Sequence, residues 1–488
     1  MVGREEAIAV FDVGTTGVRA LLFNLEGSIL GGAYEEYPTI SEHPGQSEQV
    51  PDVWWEASCR TIQSALKNAH VSPSDVVAVS VCTQRATIFP VDKSGRPLYR
   101  ALTWMDTRMS PSAKKLKKVI GQRESLNKVL WIKDNVPSVF EQTFKFLFVD
   151  SYFYFKLAGV FVSDLSNAFY GPFDVEKLSW NEKLADEVGV PLDKWVEVYP
   201  SGKVVGEVTV EAARETQLKA GTPVVVGGGD QQCSCVGVGA VRHGIVKVTT
   251  GTGTFVDALI DKPIYDPFGI LFTLPHVLEG KWVVEGVIPG TGSILRWFRD
   301  NFGHLEKKVA EDVGVDAYSI LEDEAETVSP GSDGLLVIPL FNFGKGAIYN
   351  LSFAHSRRHI IRAIMECNGF GIRGLLDIIS GMGIAVEELR IDGGGARSKL
   401  WRQIQADVTG KRISVPCIEE AGALGAAILA SKGVKLFPSV EKAVESMVKI
   451  SEVREPRHEN KRVYDEMHPV FMKLLLSSYS EITGQSQN

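Results

Sequence analysis

The tightest constraint on the fold is a device that the chain uses twice. Residues 9–23 read AVFDVGTTGVRALLF and residues 247–260 read KVTTGTGTFVDALI. Each is an apolar run, a turn of Gly and Thr, and a second apolar run, which predicts strand, tight turn, strand. Two halves opening on one plan predict a duplicated domain whose turns face each other across a cleft. Two unrelated hairpins are the alternative, because Asp and Gly are ordinary turn residues.

The chemistry of these turns is informative. Exposed backbone N–H groups and threonine hydroxyls suit a phosphate, and an acid beside them, Asp12, suits its magnesium ion. A third turn of this kind, Asp392–Gly395, follows the predicted strand Leu389–Ile391 and opens a helix, whose N-terminus offers unpaired N–H groups. The turns Asp12–Gly17, Thr249–Thr254 and Asp392–Gly395 together predict a nucleotide cleft. No GxxxxGK[ST] loop and no HRD or DFG kinase motif occurs. Gly369-Phe-Gly371-Ile-Arg-Gly374 matches GxGxxG but lies inside the helical run His359–Ile379, so it reads as close helix packing rather than a dinucleotide site.

With 488 residues the chain has room for two or three domains, and 44% apolar and 23% charged residues suit a soluble globular protein. A net charge of −8 argues against nucleic acid as a partner. Six cysteines, scattered apart from Cys233 and Cys235, form neither a disulfide framework nor a zinc set. Reduced thiols and an N-terminus, MVGREEAIAV, without a signal-like apolar stretch predict a cytoplasmic protein. The most aromatic segment, Phe144–Phe161, is interrupted by Lys145, Asp150 and Lys156, so no membrane span is expected. Strands are predicted at Ile8–Phe11, Val18–Phe23, Ile29–Tyr34, Val76–Cys82 and Gly221–Gly227, and a helix at Trp54–Ala69. A joint at Val241–Gly244 divides the chain into domains 1–243 and 244–488. The small-sided run Ala421–Ala430 predicts a helix packed tightly on a sheet, and the tail from Ser439 predicts terminal helices ending in disorder.

Asp230 follows Gly227-Gly228-Gly229. A flexible glycine backbone would let its carboxylate point into a cleft and take the proton of an attacking hydroxyl; a turn or cap aspartate is the alternative. Gln84, Arg85, Trp104, Asp106 and Arg108 combine hydrogen-bonding groups with a flat apolar wall, as a polyol site requires. Asp106 and Arg108 could equally be a surface ion pair. None of the nine histidines suggests a role.

These residues together resemble the FGGY carbohydrate kinases (glycerol kinase, xylulokinase, ribulokinase and relatives) over nearly the whole chain. DVGTTGVRALLFN is similar to their first phosphate motif, VTTGTGTF to the second and DGGGARSKLWRQIQADVTG to the adenosine motif. GQSEQVPDVWWEA and SDLSNAFYGPFDVEKLSWNEKLADEVGV also match segments typical of the family. The resemblance implies an α/β fold of two RNase H-like (actin-like ATPase) domains flanking a central cleft, with ATP and Mg2+ as cofactors. It implies that Asp12 holds magnesium, that Thr15, Thr16 and Arg19 lie near the phosphates, and that Gly251, Thr252 and Thr254 meet them from the other side. Gly292, Arg296, Gly394 and Ser398 fall where the family contacts ATP, and Asp230 falls on the catalytic base. Gln84, Arg85, Trp104, Asp106, Asp230 and Gln231 fall at the sugar end.

Departures from the family pattern concern the substrate. Gln84-Arg85-Ala86 is similar to the Gln-Arg-Glu of glycerol kinases but lacks the acid, and Asp230-Gln231-Gln232 is glycerol kinase-like. Trp104-Met105-Asp106-Thr107-Arg108 is closer to the Trp-Asn-Asp-x-Arg of xylulokinases. Loss of the acid at Ala86 is expected to make room for a ketopentose such as xylulose. A glycerol kinase, or a non-catalytic sugar sensor on the same fold, are the alternatives, and a homodimer is compatible with either.

Overall fold

The structure, a computed structural model, describes residues 6–483. Its first sheet grows from the opening device. The run β1 (Ala7–Val13) is buried along almost its whole length, as a central strand must be. It turns at Gly14–Thr16 into antiparallel β2 (Gly17–Phe23), which pairs with β3 (Ile29–Glu36). Helix α1 (Pro51–Ala69) then returns the chain to β4 (Val76–Thr83), parallel to β1. Strands β5 (Val204–Glu207) and β6 (Pro223–Gly229) complete the order β5-β6-β4-β1-β2-β3, with β6 parallel to β4.

The second half repeats the plan. Strands β7 (Gly244–Thr250) and β8 (Thr254–Ile260) form the second device, joined by β9 (Phe272–Pro275) and β10 (Trp282–Ile288). With β11 (Val386–Asp392), β12 (Arg412–Pro416) and β13 (Ile450–Arg454) the order is β13-β12-β11-β7-β8-β10-β9. The five-strand cores β3-β2-β1-β4-β6 and β10-β8-β7-β11-β12 therefore share one order and one pattern of parallel and antiparallel neighbours, with the parallel strand of each next to the first. The fold is α/β, two RNase H-like domains of the actin-like ATPase kind, and the turns of both devices lie at equivalent strand ends.

Helix α2 (Asp230–Gly237) leaves β6, and α3 (Thr291–Phe302) leaves β10. The long helix α4 (Arg357–Gly381) carries the GxGxxG glycines, where added Cβ atoms would meet Val408, Ile288 and Met472 at 3.0 Å or less, so they serve close packing. Helix α5 (Lys399–Thr409) follows the third Gly-rich turn. The Ala/Gly helix α6 (Ala421–Gly433) does pack on a sheet, and the sheet is the first one: its residues cluster with Ile8, Val10, Phe23 and Val225. It crosses α2 so closely that a Cβ on Gly237 would lie 1.8 Å from Ala421 O, and one on Gly425 1.8 Å from Cys233 O. This crossing ties the second half of the chain to the strand end that carries Asp230.

Two expectations are corrected here. Gly227–Gly229 are not a flexible loop but the last residues of β6, where a Cβ on Gly227 would fall 2.0 Å from Val81 O. Small size, not mobility, is what this position uses. The tail is not wholly helical: Val440–Met447 and His458–Thr483 are helices, but β13 lies between them, antiparallel to β12. The expected terminal disorder falls at residues 484–488, outside the described residues. Phe144–Phe161 divides between the strand Lys145–Phe148 and the helix Val149–Ala158, and no described helix is long and apolar enough to cross a membrane. That strand joins Ile88–Val91, Ala101–Leu102 and Glu48–Gln49 in a four-stranded sheet that carries the segments around Arg85 and Trp104.

Candidate active site

The first turn is held from beneath. Gly14 N–H donates to Gly17 O over 3.0 Å, and the Tyr37 hydroxyl donates to Gly14 O and Gly17 O. Thr15 faces the residues expected at the sugar end: its hydroxyl donates to Gln84 Oε1 (3.2 Å) and accepts from Trp104 Nε1 (2.8 Å). Gln84 in turn donates to Gln49 Oε1, and Gln49 donates to Thr15 O. The Thr16 hydroxyl lies 3.4 Å from Tyr34 OH. Arg19 stacks over the Tyr34 ring at 4.5 Å and pairs with Glu420 at 3.2 Å.

Asp12 ends β1 beside this turn. Burial, then the charge of Glu420, push its carboxyl up to about 7; Asp230 adds to the rise and Arg19 opposes it. Carboxylates that raise one another in this way fit a divalent cation, which would relieve their repulsion. Among the described residues no group of three or more His, Cys, Asp or Glu side chains forms a complete metal cage. A single carboxylate is the arrangement in which Mg2+ takes its other ligands from water and phosphate.

In the second device, Gly251 N–H donates to Gly253 O over 2.8 Å and both Gly251 and Thr252 are exposed. Thr254 is not: its fully buried hydroxyl bonds Thr291 Oγ1 (2.8 Å) and accepts from Asn368 Nδ2 (2.7 Å). It therefore braces the turn from below rather than presenting a hydroxyl to a ligand. Gly292, in the first turn of α3, sits where a Cβ would fall 1.9 Å from Gly251 O, so the N-terminus of α3 abuts the second turn directly. Arg296 is exposed on the same helix. In the third turn Gly394 is exposed, whereas the Ser398 hydroxyl accepts from Trp401 N–H and caps α5. The second and third turns lie together, since a Cβ on Gly393 or Gly395 would fall 2.7 or 2.5 Å from Thr250, and the N-termini of α3 and α5 adjoin them, a setting that suits phosphate groups.

Among the residues expected at the acceptor end, Asp230 is the first residue of α2, with its side chain 42% exposed. Desolvation by the surrounding protein raises its proton affinity above its ordinary value, and Arg85 pulls the other way. Arg85 Nε lies 3.3 Å from Asp230 Oδ1, and its two terminal nitrogens meet Glu285 at 2.9 and 3.1 Å. Gln231 is held by Lys247, whose Nζ donates to Gln231 Oε1 (2.6 Å) and to its backbone O (3.2 Å). Trp104 is 46% exposed, which leaves a ring face free as a wall.

Asp106 is placed differently from both readings of the sequence. Its side chain is fully enclosed, accepting from Arg108 Nη2 (2.7 Å) and Ser47 N–H (2.9 Å), while Arg108 also bonds Glu48 (2.6 Å) and covers Trp131. The pair is neither at the surface nor free to meet a ligand; it shapes the loop that presents Trp104. Ala86 brings another correction. It is 3% exposed and belongs to the apolar cluster that holds Ile88, Leu102 and Tyr170, so the missing acid does not leave open space. Nor is Arg85 left without an acid, since Glu285 supplies one.

Sequence reasoning passed over Lys247, Asp257 and Glu285. The available signal was a lone charge inside each of the buried strands β7, β8 and β10, a pattern that demands a partner.

Both halves of the chain match known proteins. The N-terminal domain of the FGGY family of carbohydrate kinases matches residues 7–237 and its C-terminal domain residues 246–434. An autoinducer-2 kinase from Salmonella typhimurium is 32% identical, over 94% of this chain and 92% of its own length. A glycerol kinase from Thermococcus gammatolerans is also 32% identical, over 93% and 94%. The crystal structure of xylulose kinase from Rhodospirillum rubrum superposes with a TM-score of 0.87 at 25% identity, covering 98% of this chain and all of that one. With both domains matched in order, Gly/Thr turns at equivalent strand ends and relatives aligned nearly end to end, the chain belongs to the FGGY family of carbohydrate kinases, enzymes that transfer phosphate from ATP to a sugar.

Proposed function

We propose that the two working units, residues 1–243 and 244–488, hold ATP phosphates between the turns Asp12–Gly17 and Thr249–Thr254, and that Asp230 activates the acceptor hydroxyl. The observation that carries this reading is the position of Asp230. It opens a helix at a strand end, half-exposed, with Arg85 against one oxygen. As the acceptor oxygen attacks the γ-phosphorus and the bond to the β–γ bridging oxygen breaks to release ADP, the acceptor proton moves to the Asp230 carboxylate, whose raised proton affinity suits that task. The exposed turn at Gly251 and Thr252 and the N-terminus of α3 orient the transferring group, and most of the rate comes from this positioning. Asp12 would hold Mg2+, which neutralises phosphate charge when bound. Asp230 also argues against a sensor, which has no use for a base.

The acceptor is a small sugar, and we propose a ketopentose such as xylulose. The Trp104–Arg108 segment and the fold likeness to xylulose kinase support this, whereas buried Ala86 does not. A second reading, autoinducer-2 or glycerol, is favoured by the names of the relatives at 32% identity. Six free cysteines accord with action in the cytoplasm. ADP release measured with ATP, Mg2+ and xylulose, ribulose, autoinducer-2 or glycerol tests the assignment. The highest kcat/KM on a ketopentose supports it; the highest on either other acceptor replaces it, and no acceptor-dependent ADP release in any arm removes the base reading.

A further inference from the structure

A row of buried charge crosses the second sheet beneath the acceptor end. Lys247 on β7, Asp257 on β8 and Glu285 on β10 are successive cross-strand neighbours, and their side chains are at most 5% exposed. Desolvating an ion costs several kcal/mol, so charges in such a place persist only with partners. Lys247 Nζ meets Asp257 at 2.8 Å and then reaches into the first half to Gln231. Glu285 reaches into the first half to Arg85, which in turn contacts Asp230.

We propose that Lys247 and Glu285 are positioning residues for phosphoryl transfer: Glu285 sets the orientation of Arg85 against Asp230 and the acceptor, and Lys247 holds the first turn of α2 so that Asp230 faces the cleft. This rests on Asp230 being the base. The guanidinium is a rigid planar fork, so fixing its two terminal nitrogens on Glu285 also fixes where Nε meets Asp230. Lys247 grips both the backbone and the side chain of the residue next to Asp230, which leaves the helix start little freedom. Arg85 and α2 belong to the first half, Lys247 and Glu285 to the second. The base is therefore seated only while the halves are engaged.

The two residues act on Asp230 with opposite sign. Among the charged groups facing its carboxylate, Arg85 and Lys247 favour ionisation, whereas Glu285 opposes it and Asp12 lies close enough to interact. A role confined to folding would not split in this way.

The test uses the full chain with Glu285→Gln, Glu285→Asp, Lys247→Met and Asp230→Asn, and follows acceptor-dependent ADP release against pH and against each substrate. The acidic limb of the kcat/KM profile should move to lower pH in Glu285→Gln and to higher pH in Lys247→Met. Acceptor KM should rise about tenfold or more while ATP KM stays within about twofold, and Glu285→Asp should recover part of the loss. Should a single variant fail to fold by circular dichroism, Lys247→Met/Asp257→Leu removes both charges of one pair together, which proteins tolerate better than a lone buried ion. Folded variants with an unmoved acidic limb and unchanged KM, alongside an inactive Asp230→Asn, overturn the positioning role and leave the base standing. An active Asp230→Asn overturns both.

Discussion

The indole N–H of Trp104 donates to Thr15 Oγ1 over 2.8 Å, which ties the wall of the acceptor end directly to the first Gly/Thr turn. Thr15 passes the link on to Gln84. A side chain of the proposed sugar end is thus braced by a residue of the proposed phosphate turn. Trp104→Phe keeps most of the apolar wall and removes only the donor. A neutral hydrogen bond is worth about 1 kcal/mol, so KM for acceptor and for ATP should each rise about 3- to 10-fold. A rise for the acceptor alone would show that the contact carries nothing between the two ends.

Asp230→Asn removes the proposed proton acceptor at nearly constant size. Turnover should fall by at least about 100-fold, while binding of a fluorescent ADP analogue stays near that of the unaltered chain. Retention of most activity would take Asp230 out of the mechanism.

Gly292 is required by contact. A methyl group there would fall 1.9 Å from Gly251 O, and the obstacle is backbone that cannot step aside without moving the second turn. Gly292→Ala should weaken binding of the ADP analogue by about tenfold or more, by the cost of about 1–3 kcal/mol that overpacking carries. Unaltered affinity in a folded variant would mean that the α3 terminus does not shape the nucleotide site.

Asp150 and Asp164 form a fully buried acid pair below β6. Ser163 donates to Asp150, and Ser166 and Asn167 donate to Asp164. Burial, then the neighbouring Asp164, push the Asp150 carboxyl up to about 8. Its folded value lies above the unfolded one of about 4, so the folded chain holds the extra proton and loses stability as pH rises between the two. The thermal midpoint should fall from mildly acidic to mildly alkaline pH, and Asp150→Asn, which cannot ionise, should flatten that slope. An identical slope in the variant would place the pH dependence elsewhere.

Much of this molecule was legible in its local chemistry. Apolar runs broken by Gly and Thr marked β1, β2, β7 and β8, because a buried strand must be apolar and a tight turn must be small. Helix α4 showed in its periodicity, and the three turns and Asp230 could be named as candidates from residue type and order alone. Strand β13 was missed because an edge strand with one exposed face resembles polar tail, and its pairing with β12 is made across two helices. The glycines before Asp230 were misread for a related reason: a residue's own sequence does not say that Val81 O will press against it.

Sequence by itself determined the repeated strand–turn–strand plan, the phosphate-type turns and the identity of the acid at the start of α2, since these follow from backbone sterics and from burial along contiguous residues. Only the tertiary structure decided what surrounds that acid. Arg85 and Glu285 are 200 residues apart, and Gln231 reaches Lys247 across the boundary between the two halves. Sheet register lines up Lys247, Asp257 and Glu285 on three strands, and the packing of the second half against the first brings that row to Arg85 and α2. Such pairings arise from long-range desolvation and charge matching, which leave no trace in spacing along the chain.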